Sequence, residues 1–166
     1  MPVAIRPAEL SDYEVIRAIN ENAVPAVSSI SMADLRALAK QCCQFSVAMA
    51  DEQLAGFVMA LQPGQEYRSE NYRWFSSHYE KFVYIDRIAV SPAYKGRGIG
   101  RALYVDIERF AIEVAPILTC EVNVVPPNPD SMAFHTRLGF REVGQQDTEG
   151  GTKRVSLLVK SLVRAE

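Results

Sequence analysis

Gly96, Gly98 and Gly100 alternate within five positions, and the run Tyr94-Lys95-Gly96-Arg97-Gly98-Ile99-Gly100-Arg101 crowds these glycines between cationic side chains. Its flanks constrain the fold. On the N-terminal side Tyr84–Val90 (YIDRIAV) is alternating and β-branched enough to read as a strand, closed by Ser91-Pro92. On the C-terminal side Ile99, Leu103, Ile107 and Phe110 recur at helical spacing, with Asp106, Glu108 and Arg109 between them. A strand must turn into a helix here within a few residues, and glycine lets the backbone come close to a ligand. The first helical turn carries amide N–H groups with no partner inside the helix, and the helix dipole favours an anion in front of them. The expected ligand is a diphosphate.

Two other phosphate loops do not match. A P-loop needs Gly-Lys-Ser/Thr after its glycines, which is absent here, and the dinucleotide fingerprint needs a third glycine where Leu103 stands. Taken singly, Lys95, Arg97 and Arg101 read as solvated surface charge; only the glycine spacing turns them toward an anion.

The 166 residues fit one domain spanning 1–166 with one core, and a hydrophobic content of 48% against 23% charged residues excludes disordered and fibrous classes. A net charge of -2 gives no global attraction to nucleic acid or to an anionic membrane. Cys42, Cys43 and Cys120 are odd in number, and the adjacent pair is badly placed for an unstrained bridge, so a reducing compartment is expected. With no 18-residue apolar run and no signal-peptide order at the start, the expected location is cytoplasmic, away from the membrane.

Along the chain, residues 2–6 read as a first strand, Ser11-x-x-Glu14 as the start of a helix with Val15, Ile16 and Ile19 inward, and Ser31-x-x-Asp34 as the start of a second through Leu35, Leu38 and Ala39. Phe45–Ala50 and Leu54–Leu61 form a hairpin in which Gly56 marks a bulge or a close backbone approach. Residues 63–81 read as a polar excursion rich in aromatics, either covering the core or forming a substrate-facing lid. After the central strand come a helix over 98–114, a strand Ile117–Val125, a short helix Pro129–Leu138 and closing strands over 140–145 and 152–160, turned by Gly150-Gly151. This order predicts an α/β fold with a mixed, mostly antiparallel sheet and helices on both faces.

The second motif is Asn128-Pro129-Asp130-Ser131-Met132-Ala133-Phe134-His135-Thr136-Arg137-Leu138-Gly139-Phe140, a short capped helix ended by glycine. Together with the glycine run and the opening Ile5-Arg6-Pro7-Ala8-Glu9-Leu10-Ser11-Asp12-Tyr13, it resembles the GNAT superfamily of acyl-CoA-dependent N-acyltransferases over essentially the whole chain. The resemblance implies a splayed parallel pair formed by the strands on either side of the long helix, and acetyl-CoA as cofactor. It implies diphosphate contacts from Lys95, Gly96, Arg97, Gly98, Ile99, Gly100 and Arg101. The pantetheine would pair with backbone of Ile88, Ala89 and Val90, and Asn128 and Ser131 would contribute polar contacts. Lys95 stands where the superfamily most often has glutamine or arginine, which loses the planar fork.

Acyl transfer to an amine calls for a base, because an alkylammonium with a pKa near 10 is about 0.1% neutral at pH 7. Asp86, on the central strand, and Glu121, in Cys120-Glu121-Val122-Asn123, are carboxylates inside apolar strands and are the candidates; an ion pair such as Asp86 with Arg87 is the structural alternative. Glu121 also resembles the glutamate of ribosomal-protein alanine acetyltransferases. His135 occupies the position where the superfamily often carries the tyrosine that protonates the thiolate, so it is the candidate general acid, with a packed histidine as the alternative. The expected activity is transfer of acetyl to a small-molecule or peptide amine within a ternary complex. The competing readings are a non-catalytic acyl-CoA-binding sensor and an interaction module whose aromatic segment Tyr67–Tyr79 grips a partner. Dimers are common among relatives, so a homodimer is an expected state.

Overall fold

A computed structural model describes residues 2–163. Among them, seven strands, β1 (Ala4–Pro7), β2 (Gln44–Ala50), β3 (Gln53–Leu61), β4 (Val83–Val90), β5 (Ile117–Val125), β6 (Arg141–Thr148) and β7 (Lys153–Ser161), join in the order β1-β2-β3-β4-β5-β7-β6. β4 and β5 run parallel, whereas β1–β2, β2–β3, β5–β7 and β6–β7 are antiparallel, the mixed sheet that the element order predicts. Five α-helices accompany them: α1 (Tyr13–Asn22), α2 (Met32–Gln41), α3 (Glu70–His78), α4 (Ile99–Ala111) and α5 (Pro129–Leu138). The described residues pack as two compact units, one built from those up to Leu61 with Ile85–Phe110, the other from Gln62–Tyr84 with those from Ala111 onward.

In the first unit, β2 and β3 are joined by the two residues Asp51 and Glu52, both at positive φ (52° and 62°), the twist that tight hairpins prefer. Ala48 faces Gly56 but Met49 faces Leu54, so β3 bulges at Ala55. Gly56 is needed for a second reason: a Cβ there would lie 2.8 Å from the Ala89 carbonyl oxygen and 3.0 Å from Ile99 Cγ2. That close approach seats β3 against the end of β4 and the first turn of α4. Val47, Phe57, Leu103 and Ile107 are completely buried in this unit.

The start of α1 differs from the expectation. A 3-10 turn, Leu10–Asp12, precedes it, and the Asp12 carboxylate accepts from the Glu9 N–H (2.8 Å) and twice from Arg6 (2.7 and 2.9 Å), so Asp12 rather than Ser11 organises the entry. Ile16 and Ile19 are buried as expected, but Val15 faces outward. α2 begins as read, with Ser31 Oγ accepting from the Asp34 N–H at 3.1 Å and Leu35 and Leu38 buried.

The second unit corrects the reading of residues 63–81. Glu70–His78 is helical, capped by Ser69 Oγ, which accepts from the Tyr72 N–H at 3.2 Å. Tyr72 and Phe75, three residues apart, are buried on one face of α3 and meet the rings of Phe82 and Tyr84 at centroid distances of 5.6–6.3 Å. The aromatics of this segment thus cover core. Trp74 lies against Gly144, where a Cβ would come within 3.0 Å of the indole. β5 and α5 match their expected bounds, and α5 ends at Gly139 with φ 100°. Among the described residues, no helix is long and apolar enough to cross a membrane.

Candidate functional site

Within the first unit, the glycine run leaves β4 through a tightly held turn. The Ser91 N–H donates to the Ala55 carbonyl at 2.7 Å, a 3-10 turn covers Pro92–Tyr94, and Lys95 is extended. Gly96 and Gly98 both sit at φ +78°, a conformation that costs an L side chain about 1–2 kcal/mol, and a Cβ on either would find nothing within 4 Å. The loop is therefore open on that side. The Ala102 N–H donates to the Gly98 carbonyl at 3.0 Å, so the amides of Ile99, Gly100 and Arg101 form the partnerless first turn. Lys95 and Arg101 are exposed. Arg97 is engaged: it pairs with Asp51 of the hairpin turn at 3.0 Å and lies 5.0 Å above the Tyr94 ring.

Upstream on β4, Asp86, Ile88 and Val90 share one face, Ile88 and Val90 half-buried with Ala89 buried between them. Asp86 is ion-paired, the alternative weighed from sequence. Its Oδ2 accepts from Arg87 Nε at 2.7 Å, and both side chains are less than a tenth exposed. Arg87 Nη1 also donates to Asn20 Oδ1 and to the Ser28 carbonyl, each at 3.0 Å. Asn20 in turn donates to Glu21 at 2.8 Å, and Glu21 accepts from Ser29 Oγ and the Ile30 N–H. These donors hold the Glu21 carboxyl below the usual range, Ser29 contributing most. Asn20, Glu21, Ser28 and Ser29 thus form one network with β4.

The second unit holds the other residues. Glu121, half-buried on β5, accepts from Tyr84 Oη at 2.9 Å on one carboxylate oxygen and 2.8 Å on the other. Tyr84, fully buried, was not singled out from sequence, although it shares the parity of Asp86 in YIDRIAV. Asn128 caps α5: its Oδ1 accepts from the Ser131 N–H at 3.3 Å, and its own N–H donates to the Asn123 carbonyl at 3.2 Å. His135 is buried between the rings of Phe134 and Phe140, and its Nδ1 lies 2.8 Å from the Ser131 carbonyl oxygen, which can only accept, so that nitrogen carries the proton. Burial pushes its pKa down, partly offset by that hydrogen bond. Burial also pushes the thiols of Cys42 and Cys43 up, the latter to about 11, which makes poor nucleophiles. No cluster of His, Cys, Asp or Glu among the described residues has the arrangement of a metal site.

The acetyltransferase (GNAT) family model matches residues 12–140. No curated protein sequence matches the chain significantly. Among solved structures, Ard1 from Thermoplasma volcanium is similar with a TM-score of 0.79 at 15% identity, covering 99% of this chain and 100% of its own. The ribosomal-protein-alanine N-acetyltransferase from Brucella melitensis is similar with a TM-score of 0.71 at 22% identity, covering 96% and 99%. yncA from Salmonella typhimurium, solved with its cofactor acetyl-CoA, gives 0.72 at 18% identity, covering 100% and 97%. At these identities the structures establish a shared fold; the family match extends over most of the sequence. The chain belongs to the GNAT family of acetyltransferases, acyltransferases that draw on acetyl-CoA.

Proposed function

We propose that residues 1–166 act as a single N-acetyltransferase domain that moves an acetyl group from acetyl-CoA to a primary amine by direct attack within a ternary complex. The open loop suits the cofactor: Gly96 and Gly98 leave room beside the backbone, and the amides of Ile99, Gly100 and Arg101 face an anion without competition from the helix. Lys95, Arg97 and Arg101 supply charge, Arg97 by exchanging or sharing its contact with Asp51. Backbone groups of Ile88, Ala89 and Val90 would pair with the pantetheine amides, and Asn128 and Ser131 would contribute polar contacts. When bound, acetyl-CoA supplies a thioester carbonyl as electrophile. A backbone N–H near Val90 would be the donor that stabilises the oxyanion.

The observation that carries the mechanism is the Tyr84–Glu121 contact. A phenol that donates to both oxygens fixes the carboxylate's orientation, and Glu121 takes the amine's proton through water. Asp86, committed to Arg87, orients the strand rather than moving the proton. The buried, neutral ring of His135 supports packing over the acid role, leaving water to protonate the thiolate. The raised thiols of Cys42 and Cys43 favour direct attack over an acyl-enzyme. The Brucella neighbour acts, by its name, on a ribosomal-protein alanine, which supports including peptide amines among the acceptors assayed.

Thiol release from acetyl-CoA, followed across peptides and small amines, tests the reading. Turnover with at least one amine is expected, and Glu121→Gln should lower kcat by about 10²–10⁴ with the CoA affinity retained. CoA binding without turnover on any amine would leave a sensor and overturn it, as would a Glu121→Gln enzyme of unchanged kcat.

A further inference from the structure

An open groove of about 720 Å³ lies along the chain between β3 and the middle of α3, and its walls include Gln65, Glu66, Tyr67, Arg68, Tyr72 and Arg73. Its size falls in the range of ligand sites, roughly 300–1,000 Å³. The groove is built rather than floppy: Tyr72 Oη donates to the Gln62 carbonyl at 2.6 Å and accepts from the Gln65 N–H at 3.1 Å, while Tyr67 meets the Tyr72 ring edge-on at 5.7 Å. Tyr72 thereby fixes the path of residues 62–67.

Two features point to the kind of ligand. Arg68 and Arg73 are exposed on these walls, and neither has a carboxylate partner among the described residues, unlike Arg6, Arg87, Arg97 and Arg154, each of which is ion-paired with an aspartate. With Glu66 the one acid on the walls, the groove is net positive on a chain of net charge -2. Guanidinium forks pair bidentately with carboxylates, and tyrosine rings beside them accept peptide or side-chain faces. The wall is also one ring away from the proposed base: Tyr72 packs edge-on against Tyr84 at 5.6 Å, and Tyr84 holds Glu121. The first turn of α3 lies beside the end of β6 and the turn that follows it: Gln146 of β6 donates to Asn71 at 3.0 Å, and the Glu149 N–H in the turn donates to Glu70 at 3.4 Å.

We infer that this groove is an acceptor subsite for an acidic polypeptide segment, with Arg68 and Arg73 pairing with its carboxylates. The inference rests on the transferase reading and narrows its acceptor. The groove is larger than a lone carboxylate needs, and its cations and rings are spread over several residues, which suits a chain of side chains better than one small anion.

The experiment uses the full chain and two heptapeptides that differ only in carrying three glutamates or three glutamines after a free N-terminal serine, with a small uncharged amine as reference. Binding is read by fluorescence anisotropy of labelled peptides in the presence of CoA, and transfer by thiol release. The wild type should favour the acidic peptide, and Arg68→Ala with Arg73→Ala should lose roughly tenfold of that preference, mainly in Kd and KM, with CoA affinity and turnover of the reference amine unchanged. Charge reversal, Arg73→Glu, should invert the preference, and raising salt should weaken it. Equal binding of both peptides by the wild type, an unaltered preference in the variants, or equally tight capture of free succinate or phosphate would overturn the inference. Retained turnover of the reference amine in any of these cases leaves the transferase reading standing.

Discussion

At the residue scale, the chain places charges where removing a partner is costly. Asp86 and Arg87 are both nearly buried, so Arg87→Met strands a carboxylate and should destabilise the fold by roughly 3–5 kcal/mol, while adding Asp86→Asn should recover part of that loss. Urea unfolding of the two single variants and the double variant measures the coupling; strictly additive losses would contradict a paired role. His135 makes a pH prediction. Burial disfavours its imidazolium, so below about pH 6.5 the unfolded chain binds a proton that the folded chain resists. Its contribution to stability is therefore fully present above that pH and is lost as the pH falls toward its depressed folded value. Melting temperatures between pH 7.5 and 5 should decline less in His135→Gln than in the wild type. Glu121 stands out in the sequence as a candidate because a carboxylate inside an apolar strand is unusual. Tyr84 does not, since the partner of its hydroxyl lies 37 residues further along the chain.

At the element scale, legibility followed the locality of the signals. β5 and α5 match their expected bounds because their ends carry local markers, Asn128 and Pro129 at one end of the helix and Gly139 at the other. α1 starts differently because its entry depends on Arg6 reaching Asp12, a contact that no local pattern announces. The sequence over α3 reads only as a polar excursion because tyrosine, tryptophan and phenylalanine are modest helix formers, and the helix draws its stability from ring packing on Phe82 and Tyr84. Gly56 was legible as a close approach, and the clash its Cβ would make shows with what. Gly56→Ala should destabilise by about 1–3 kcal/mol, because the atom it meets at 2.8 Å is backbone and cannot rotate away. Chemical denaturation checks this, and a neutral substitution would show that β3 can shift freely.

At the scale of the whole molecule, the mixed sheet, its parallel β4–β5 pair and the family match agree with a reading that began from one glycine run. β4 carries the account: it leads into the loop, contributes the backbone beside it, and holds Tyr84, whose hydroxyl donates to Glu121. Sequence could not show that Arg97 is already engaged with Asp51, or that the aromatic segment builds a groove, because both depend on residues brought together by folding. A ligand held by the folded loop must also stabilise the fold, by about 2.7 kcal/mol at a hundredfold excess over Kd. The most direct test is calorimetric titration of CoA into the wild type and into Gly98→Val, whose side chain is strained at φ +78°. Saturable one-site binding by the wild type, weakened about tenfold or more in the variant, is the predicted result. No binding heat, or equal affinity in both proteins, would contradict it.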